Sequence, residues 1–442
     1  MTTPTPLAHS RPTPLWAALF VTALCSAAGI ITSGIYYITK ETHAFTNEGN
    51  YWLALLQGLT YIVGALAAGP LLRALTRHVG LSPRTILIAL MLAMAALAAI
   101  PSLAGLAATS AASSTTPSPW PIWALIALYS PLTGMLWPVI ESYISGGRHD
   151  HHLRTTIGWW NVTWSGALVL MSVAVAPLVA SRGDLAILGG GALHLLALIP
   201  LLAFTPAPPS HSHTPSHSPA PTPAPAPRDL TLQRKLLVTF RMLLPTSYLV
   251  TTALIPFLPG QMTRLNIDPA AFTIVGAAWL AARVVGFFTF QRWHGWHNRW
   301  WPAVLAPCLM LGGLALCVFA HLPIAGLAPA DDAFDAARTQ AGSLLILGLT
   351  LHGLAMSTIY TGAISYAMEV SDAHVDAGGA HEALIGLGYT VGPICGVLAL
   401  LLARATNSPA SFEPTLMTLV GTIALAIAVA TFVRVSRLTR TP

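Results

Sequence analysis

Charge is what this chain has least of. Lys, Arg, Asp and Glu together make up 8% of its 442 residues, against about a quarter in an ordinary soluble domain. With 54% of the residues hydrophobic, a water-facing surface cannot be covered, so a soluble globule is excluded and a polytopic membrane protein is expected. Cysteine is scarce as well. Cys25, Cys308, Cys317 and Cys395 all fall in apolar segments, which excludes a disulfide framework and leaves no metal-type spacing. No acid lies in the middle of a long apolar run, so a carboxylate proton carrier has no candidate at mid-depth. No cleavable leader is expected either. The start, MTTPTPLAHSRPTP, is polar with one arginine, and the apolar run behind it is long enough to be an uncleaved first span.

What is present is a series of apolar segments of about 20 residues, the length that crosses some 30 Å of hydrocarbon. Spans are expected near 15–38, 51–75, 84–107, 121–145, 157–181, 184–205, 237–259, 270–291, 300–321, 342–368, 381–404 and 411–434. With the N-terminus inside, fifteen of the 21 Lys and Arg residues fall on the inner side and five on the outer. That asymmetry predicts both termini in the cytoplasm of an inner-membrane protein. The net charge of +6 then reflects arginines anchoring loops and calls for no nucleic-acid partner. Between spans six and seven runs PAPPSHSHTPSHSPAPTPAPAPR, residues 206–228, an extended segment with nothing to bury. The chain thus divides into a six-helix bundle over 1–205, a Pro/His-rich cytoplasmic linker over 206–235 and a second six-helix bundle over 236–442. Histidines in SHSHTPSHS and RHDHH lack the fixed geometry of a metal site, so no metal and no cofactor are expected.

A shift of 228 residues lays TGMLWPVIE (133–141) on TGAISYAME (361–369), and Ile157-Gly158 on Ile385-Gly386. The register pairs Glu141 with Glu369 and points to duplicated halves related by an axis along the membrane normal. At this point the chain resembles the major facilitator superfamily over its whole length: six plus six spans, a hydrophilic central linker and both termini inside. The loop GPLLRALTRHVGLSPR carries that family's Gly69 and its basic Arg73, Arg77 and Arg84, but lacks the acid between them. EALIGLGYTVGPICG (382–396) is similar to the glycine-rich eleventh span of bacterial members, and Glu141 with Arg148 resembles an element at the inner end of span four. Its C-terminal copy is incomplete, with Asp376 where the arginine would stand. The resemblance implies an all-α fold of twelve transmembrane helices in two six-helix bundles and transport by alternating access.

Within AAWLAARVVGFFTF (277–290) a single arginine, Arg283, stands near mid-depth, at a cost of a few to more than ten kcal/mol if it faces lipid. A wet central cavity lowers that cost, and the guanidinium fork suits a carboxylate or phosphate. The other reading has Arg283 bracing the C-terminal bundle against carbonyls or tyrosines. His194 and His352 are candidates for proton exchange, or else hydrogen-bonded packing histidines. The cavity is expected to draw on Tyr36, Tyr37, Gln57, Tyr61, Trp137, Asn161 and Trp164 from one half. The other half offers Trp279, Arg283, His352, Tyr360, Tyr366 and Tyr389. Aromatics with a few polar groups suit a mostly apolar ligand with one polar or anionic end. Glu141 and Glu369 are candidate gate residues that could bond Arg73, Arg77, Arg148 or Arg292 at the inner face; otherwise they are solvated helix-end charges worth under about 1 kcal/mol each.

The function expected is a monomeric secondary transporter moving a small organic solute, an anion being one candidate class, with protons as the candidate coupling ion. Export of amphipathic drug-like compounds is the nearest variant. A lipid-modifying membrane enzyme would need a catalytic set at a membrane face, and the short loops hold no paired acids and no nucleophile elbow. A carrier-like sensor that no longer transports is the third reading.

Overall fold

The computed structural model describes residues 12–110, 118–148, 150–179, 181–208, 230–328, 331–370 and 375–440. Among them every regular element is a helix, because a backbone inside hydrocarbon must bond to itself. Twelve helices are long and apolar enough to cross a membrane: Leu15–Thr42, Asn47–Val79, Pro83–Leu106, Trp120–Ser145, His152–Val179, Gly183–Leu201, Thr231–Leu254, Pro269–Arg292, Trp301–Ile324, Phe334–Val370, Gly378–Ala405 and Pro409–Leu438. They are numbered here as spans one to twelve. Each expected span has its counterpart. Most of the linker, with its histidines, lies outside the described residues, while Thr231 already begins span seven, so 231–235 is helix.

Local chemistry sets the span starts. Thr46 caps span two by accepting a bond from the Gly49 amide, and Ser82 caps span three with Pro83 in its first turn, each satisfying an otherwise orphaned donor. Span one is broken near Gly34 and resumes at Ile35. At the end where spans six and seven are joined, called the linker end here, Tyr143 donates to the Thr205 and Pro206 carbonyls at 3.1 Å each. Arg84 donates to the Phe204 carbonyl at 3.0 Å.

Small residues let the helices approach to backbone contact, which in lipid replaces the hydrophobic drive of water. A Cβ added at Gly64 of span two would lie 1.9 Å from the Pro131 carbonyl oxygen of span four, and one at Gly134 would lie 2.5 Å from the Tyr61 carbonyl. In the second half, Gly313 and Gly348 bring spans nine and ten together in the same way, the Cβ of Gly313 falling 2.7 Å from the Gly348 carbonyl. Gly312, one residue away, would meet nothing within 4 Å. Gly64→Ala is therefore expected to cost about 1–3 kcal/mol through overpacking. Gly312→Ala should be neutral or stabilising by up to about 1 kcal/mol through helix propensity. Thermal unfolding of the two purified variants in detergent, beside the wild type, checks the order.

Candidate functional site

Spans one to five meet spans seven, ten and eleven around a central cavity. Eight aromatic side chains line it: Tyr61, Tyr129, Trp137, Trp160, Trp164, Tyr248, Tyr360 and Tyr389. Gln57, Thr32, Ser33, Thr133 and Glu382 supply polar groups. The aromatics lock each other across the two halves. Tyr61 meets Tyr389 edge-on at 5.2 Å between ring centroids, and Trp164 meets Tyr360 at 5.3 Å. Tyr36 donates to Gln57 Oε1 at 2.8 Å, and Ser130 donates to the Gln57 carbonyl at 2.7 Å, which fixes the amide at the wall.

The halves touch on both sides of this cavity. At the end opposite the linker, Tyr51 donates to the Ala253 carbonyl at 2.7 Å, and Arg404 pairs with Glu48. At the linker end, Gln291 of span eight donates to the Thr155 carbonyl of span five at 3.3 Å, and a Cβ on Gly158 would meet its amide oxygen at 1.5 Å. Span eleven lies against spans two and four there, with Gly379 over the Ala65 carbonyl and Gly378 over the carboxyl of Glu141.

Six of the expected cavity residues line the cavity: Gln57, Tyr61, Trp137, Trp164, Tyr360 and Tyr389. The others lie elsewhere. Asn161 lines a cleft at the linker end with Arg154, Gln291 and His297, and accepts a bond from Trp164 Nε1 at 3.2 Å. Trp279 lines a second cavity with Tyr37, Ser172 and Thr273, toward the opposite end. His352 bonds Thr251 at 2.9 Å beside the Trp279 ring, and His194 bonds Tyr129 at 2.6 Å; neither imidazole lines the central cavity. Tyr366 stacks on Phe240 and accepts the Asn298 amide at 2.9 Å, near the linker end.

Arg283 is 2% exposed and stands behind the cavity wall. Its guanidinium carbon lies 4.1 Å from the Trp164 ring centroid and 4.5 Å from that of Trp279. The arginine is thus clamped between two indoles, one from each half. Nε donates to Ser165 Oγ at 2.9 Å, while Nη2 has no hydrogen-bond partner among the described residues. A desolvated cation on a tryptophan face gains about 2 kcal/mol or more, so two faces and one charge-assisted bond offset much of the burial cost without any acid.

The acids differ from expectation. Span eleven's helix starts at Val375, so Glu382 sits about 10 Å along it, not at its first turn. Its Oε2 accepts a hydrogen bond from Tyr61 of span two. Glu141 is only 3% exposed, and neither of its oxygens meets a donor among the described residues; the carboxyl of Glu382 lies beside it. Glu369, its partner in the repeat, instead pairs with His297 at 3.0 Å. Arg148 donates to the Tyr143, Ile144 and Thr13 carbonyls at 3.0, 2.6 and 2.6 Å, and partial burial draws its pKa below the usual arginine value. Arg73 and Arg77 are exposed at the linker end of span two. Missed as cavity residues from the sequence were Tyr129, Trp160, Tyr248 and Glu382. For Glu382 a signal existed in the polar but sparsely charged stretch just before it, which a helix can include.

Removing a buried cation that has no counter-charge among the described residues should not destabilise the fold. Arg283→Met is expected to melt at or above the wild type in detergent, whereas Ser165→Ala, which strips the guanidinium of its bond, should lose about 1.5–3 kcal/mol.

A family model described as Major Facilitator Superfamily matches residues 15–393. No curated protein sequence matches the chain. Among solved structures, a bacterial homolog of the human lysosomal transporter Spinster, inward-facing and occupied, superposes with a TM-score of 0.61 at 13% identity, covering 97% of this chain and 98% of that one. The nucleoside transporter NupG gives 0.55 at 13% identity over 95% and 98%. A single-substitution variant of the E. coli fucose:proton symporter FucP gives 0.53 at 15% over 95% and 98%. At these identities the likeness is one of fold.

Proposed function

The chain belongs to the major facilitator superfamily and is a multi-pass secondary transporter, and we propose that its cargo is a small amphipathic organic solute with a planar body, uncharged or positively charged. One observation carries this reading: eight aromatic side chains enclose the cavity between the halves, and Glu382 is the only acidic or basic residue among the described residues that line it. Aromatic faces favour flat, polarisable bodies, and a cation gains further on their π-surfaces. An anionic cargo would meet a carboxyl and no exposed cation, because Trp164 stands between Arg283 and the cavity. Arg283 is then a brace that joins spans five and eight.

The two six-helix halves, 1–205 and 236–442, rock about this cavity. The arginine asymmetry of the loops supports an orientation with both termini and the linker in the cytoplasm, in the inner membrane. Opening toward the cytoplasm then separates Gln291 from Thr155 and Gly378 from Glu141. Opening outward breaks the Tyr51–Ala253 bond and the Arg404–Glu48 pair.

A thermal-shift panel of planar amines, neutral aromatics, carboxylates and phosphates on detergent-purified protein tests the cargo class. Planar amines or neutral aromatics should stabilise the wild type, by about 2.7 kcal/mol at a hundred times Kd. Trp137→Ala, which leaves the Arg283 clamp intact, should weaken their affinity about tenfold. Stabilisation confined to carboxylates or phosphates, and lost in Arg283→Ala, would overturn the assignment in favour of an anion.

A further inference from the structure

We propose that Glu141 and Glu382 form a carboxyl pair, assembled from both halves of the transporter, that binds one proton and lets the linker end close only while that proton is held. The inference rests on the transporter reading in one respect, that the linker end opens and closes. Glu141 belongs to span four and Glu382 to span eleven. A Cβ on Gly378 would lie 2.6 Å from Glu141 Oε2. Gly378 and Glu382 are four residues apart, hence on one face of span eleven a single turn from each other. The glycine is therefore the seat on which the carboxyl of span four rests beside the carboxyl of span eleven. A larger residue there would hold them apart.

Glu141 is 3% exposed and Glu382 4%. Buried polar groups are normally bonded, yet among the described residues neither oxygen of Glu141 meets a donor, while Glu382 receives only the Tyr61 hydroxyl. A proton shared between the two acids supplies the missing donor, since two adjacent buried carboxyls cannot both be charged. Among the described residues, the titratable and charged groups facing the pair are these. Tyr61 comes from span two, Tyr248 from span seven, Tyr360 from span ten and Tyr389 from span eleven itself. Arg283 of span eight lies near the last three. His381, next in sequence to Glu382, turns edge-on to the Tyr360 ring and feels Arg241 of span seven.

The pair exists only while the halves are together at the linker end. When spans four and eleven part there, each carboxyl meets water and ionises as an ordinary glutamic acid. The closed state thus binds one proton more than the open state, so closing is favoured as pH falls and opening as pH rises. The proton is delivered to the linker side on each opening. Glu141 is a gate residue, as its place at the end of span four suggested, but the bond it makes is carboxyl to carboxyl and not an ion pair with arginine.

The test is a distance measurement by electron spin resonance on full-length protein in lipid nanodiscs. Spin labels go on cysteines replacing Thr76 and Ala380, both exposed at the linker ends of spans two and eleven, in a Cys308→Ser background. Between pH 5 and pH 9 the short-distance population of the otherwise unaltered protein should fall and the long-distance population rise. Glu141→Gln and Glu382→Gln, whose amides stand in for the protonated acid, should stay short at every pH. Glu141→Asp keeps the acid and should keep a titration, which guards against a glutamine variant that fails to fold. A distribution that ignores pH in the parent, or glutamine variants that titrate as the parent does, overturns the proposal. A cargo panel that fails while the distances still titrate sinks the cargo reading alone.

Discussion

Backbone contact between spans two, four and eleven is the constraint from which the rest of the molecule follows. Glycines at the crossings remove the side chains that would hold these helices about 8–10 Å apart at their axes. A Cβ on Gly58 would lie 2.4 Å from the Tyr389 carbonyl, and one on Gly386 2.6 Å from the Ile62 side chain. Because the contact is between backbones, the register of the three helices has little room to slip. That register places Tyr61 against Tyr389 and Glu382 and brings Glu141 to span eleven. The neighbouring interface follows the same rule, with Gly388 seated on the Pro245 carbonyl of span seven at 2.4 Å from its added Cβ. Lipid offers helices no solvent penalty for separating, so such contacts and the few polar bonds between them carry the tertiary structure.

Against this scaffold the two charged sites solve the burial problem in opposite ways. Arg283 keeps its charge and is wrapped in π-faces, a stabilisation that needs neither acid nor water. Glu141 and Glu382 have no cation partner among the described residues and lie side by side. The internal repeat sharpens the contrast. Glu141 and Glu369 occupy equivalent positions in the two copies, yet the first is sealed under span eleven while the second lies near the surface with His297 at 3.0 Å. The two positions carry the same residue, but span eleven packs against only one of them, so the two carboxyls meet different surroundings.

The spans, their division into two sets of six and most of the cavity aromatics were legible in the sequence, because hydropathy over 20 residues is a strong signal and an intramembrane tyrosine or tryptophan in a carrier has few places to go. Three things were not. Glu382 was assigned to the start of span eleven because its helix was begun at 381; the helix begins at Val375, and HVDAGGAHE contains enough small residues to enter the interface. For Arg283 the sequence leaves a cavity-facing and a bracing reading open, because its direction depends on which of two neighbouring indoles lies on the cavity side, and no periodicity reveals that. The partner of Glu141 was sought among arginines of the inner loops, but it comes from the other half of the molecule, 241 positions later. Contacts across the halves are what alternating access remakes, and they leave no local pattern.

The closures on the two sides of the cavity are built from different materials, and this bears on how the cycle is driven. Opposite the linker, Arg404 and Glu48 form an ion pair whose arginine side chain is 65% exposed, and a pair so placed contributes at most about 1 kcal/mol. The Tyr51–Ala253 bond and apolar packing add to it. Among the described residues that closure has no buried acid pair, and it yields to whatever the cargo contributes. At the linker end the closure includes two carboxyls that repel whenever both are ionised. In the proposed carboxyl pair one proton reverses the sign of the interaction at the linker end, whereas the opposite end is held by an exposed ion pair and apolar packing, so the two closures answer to different conditions.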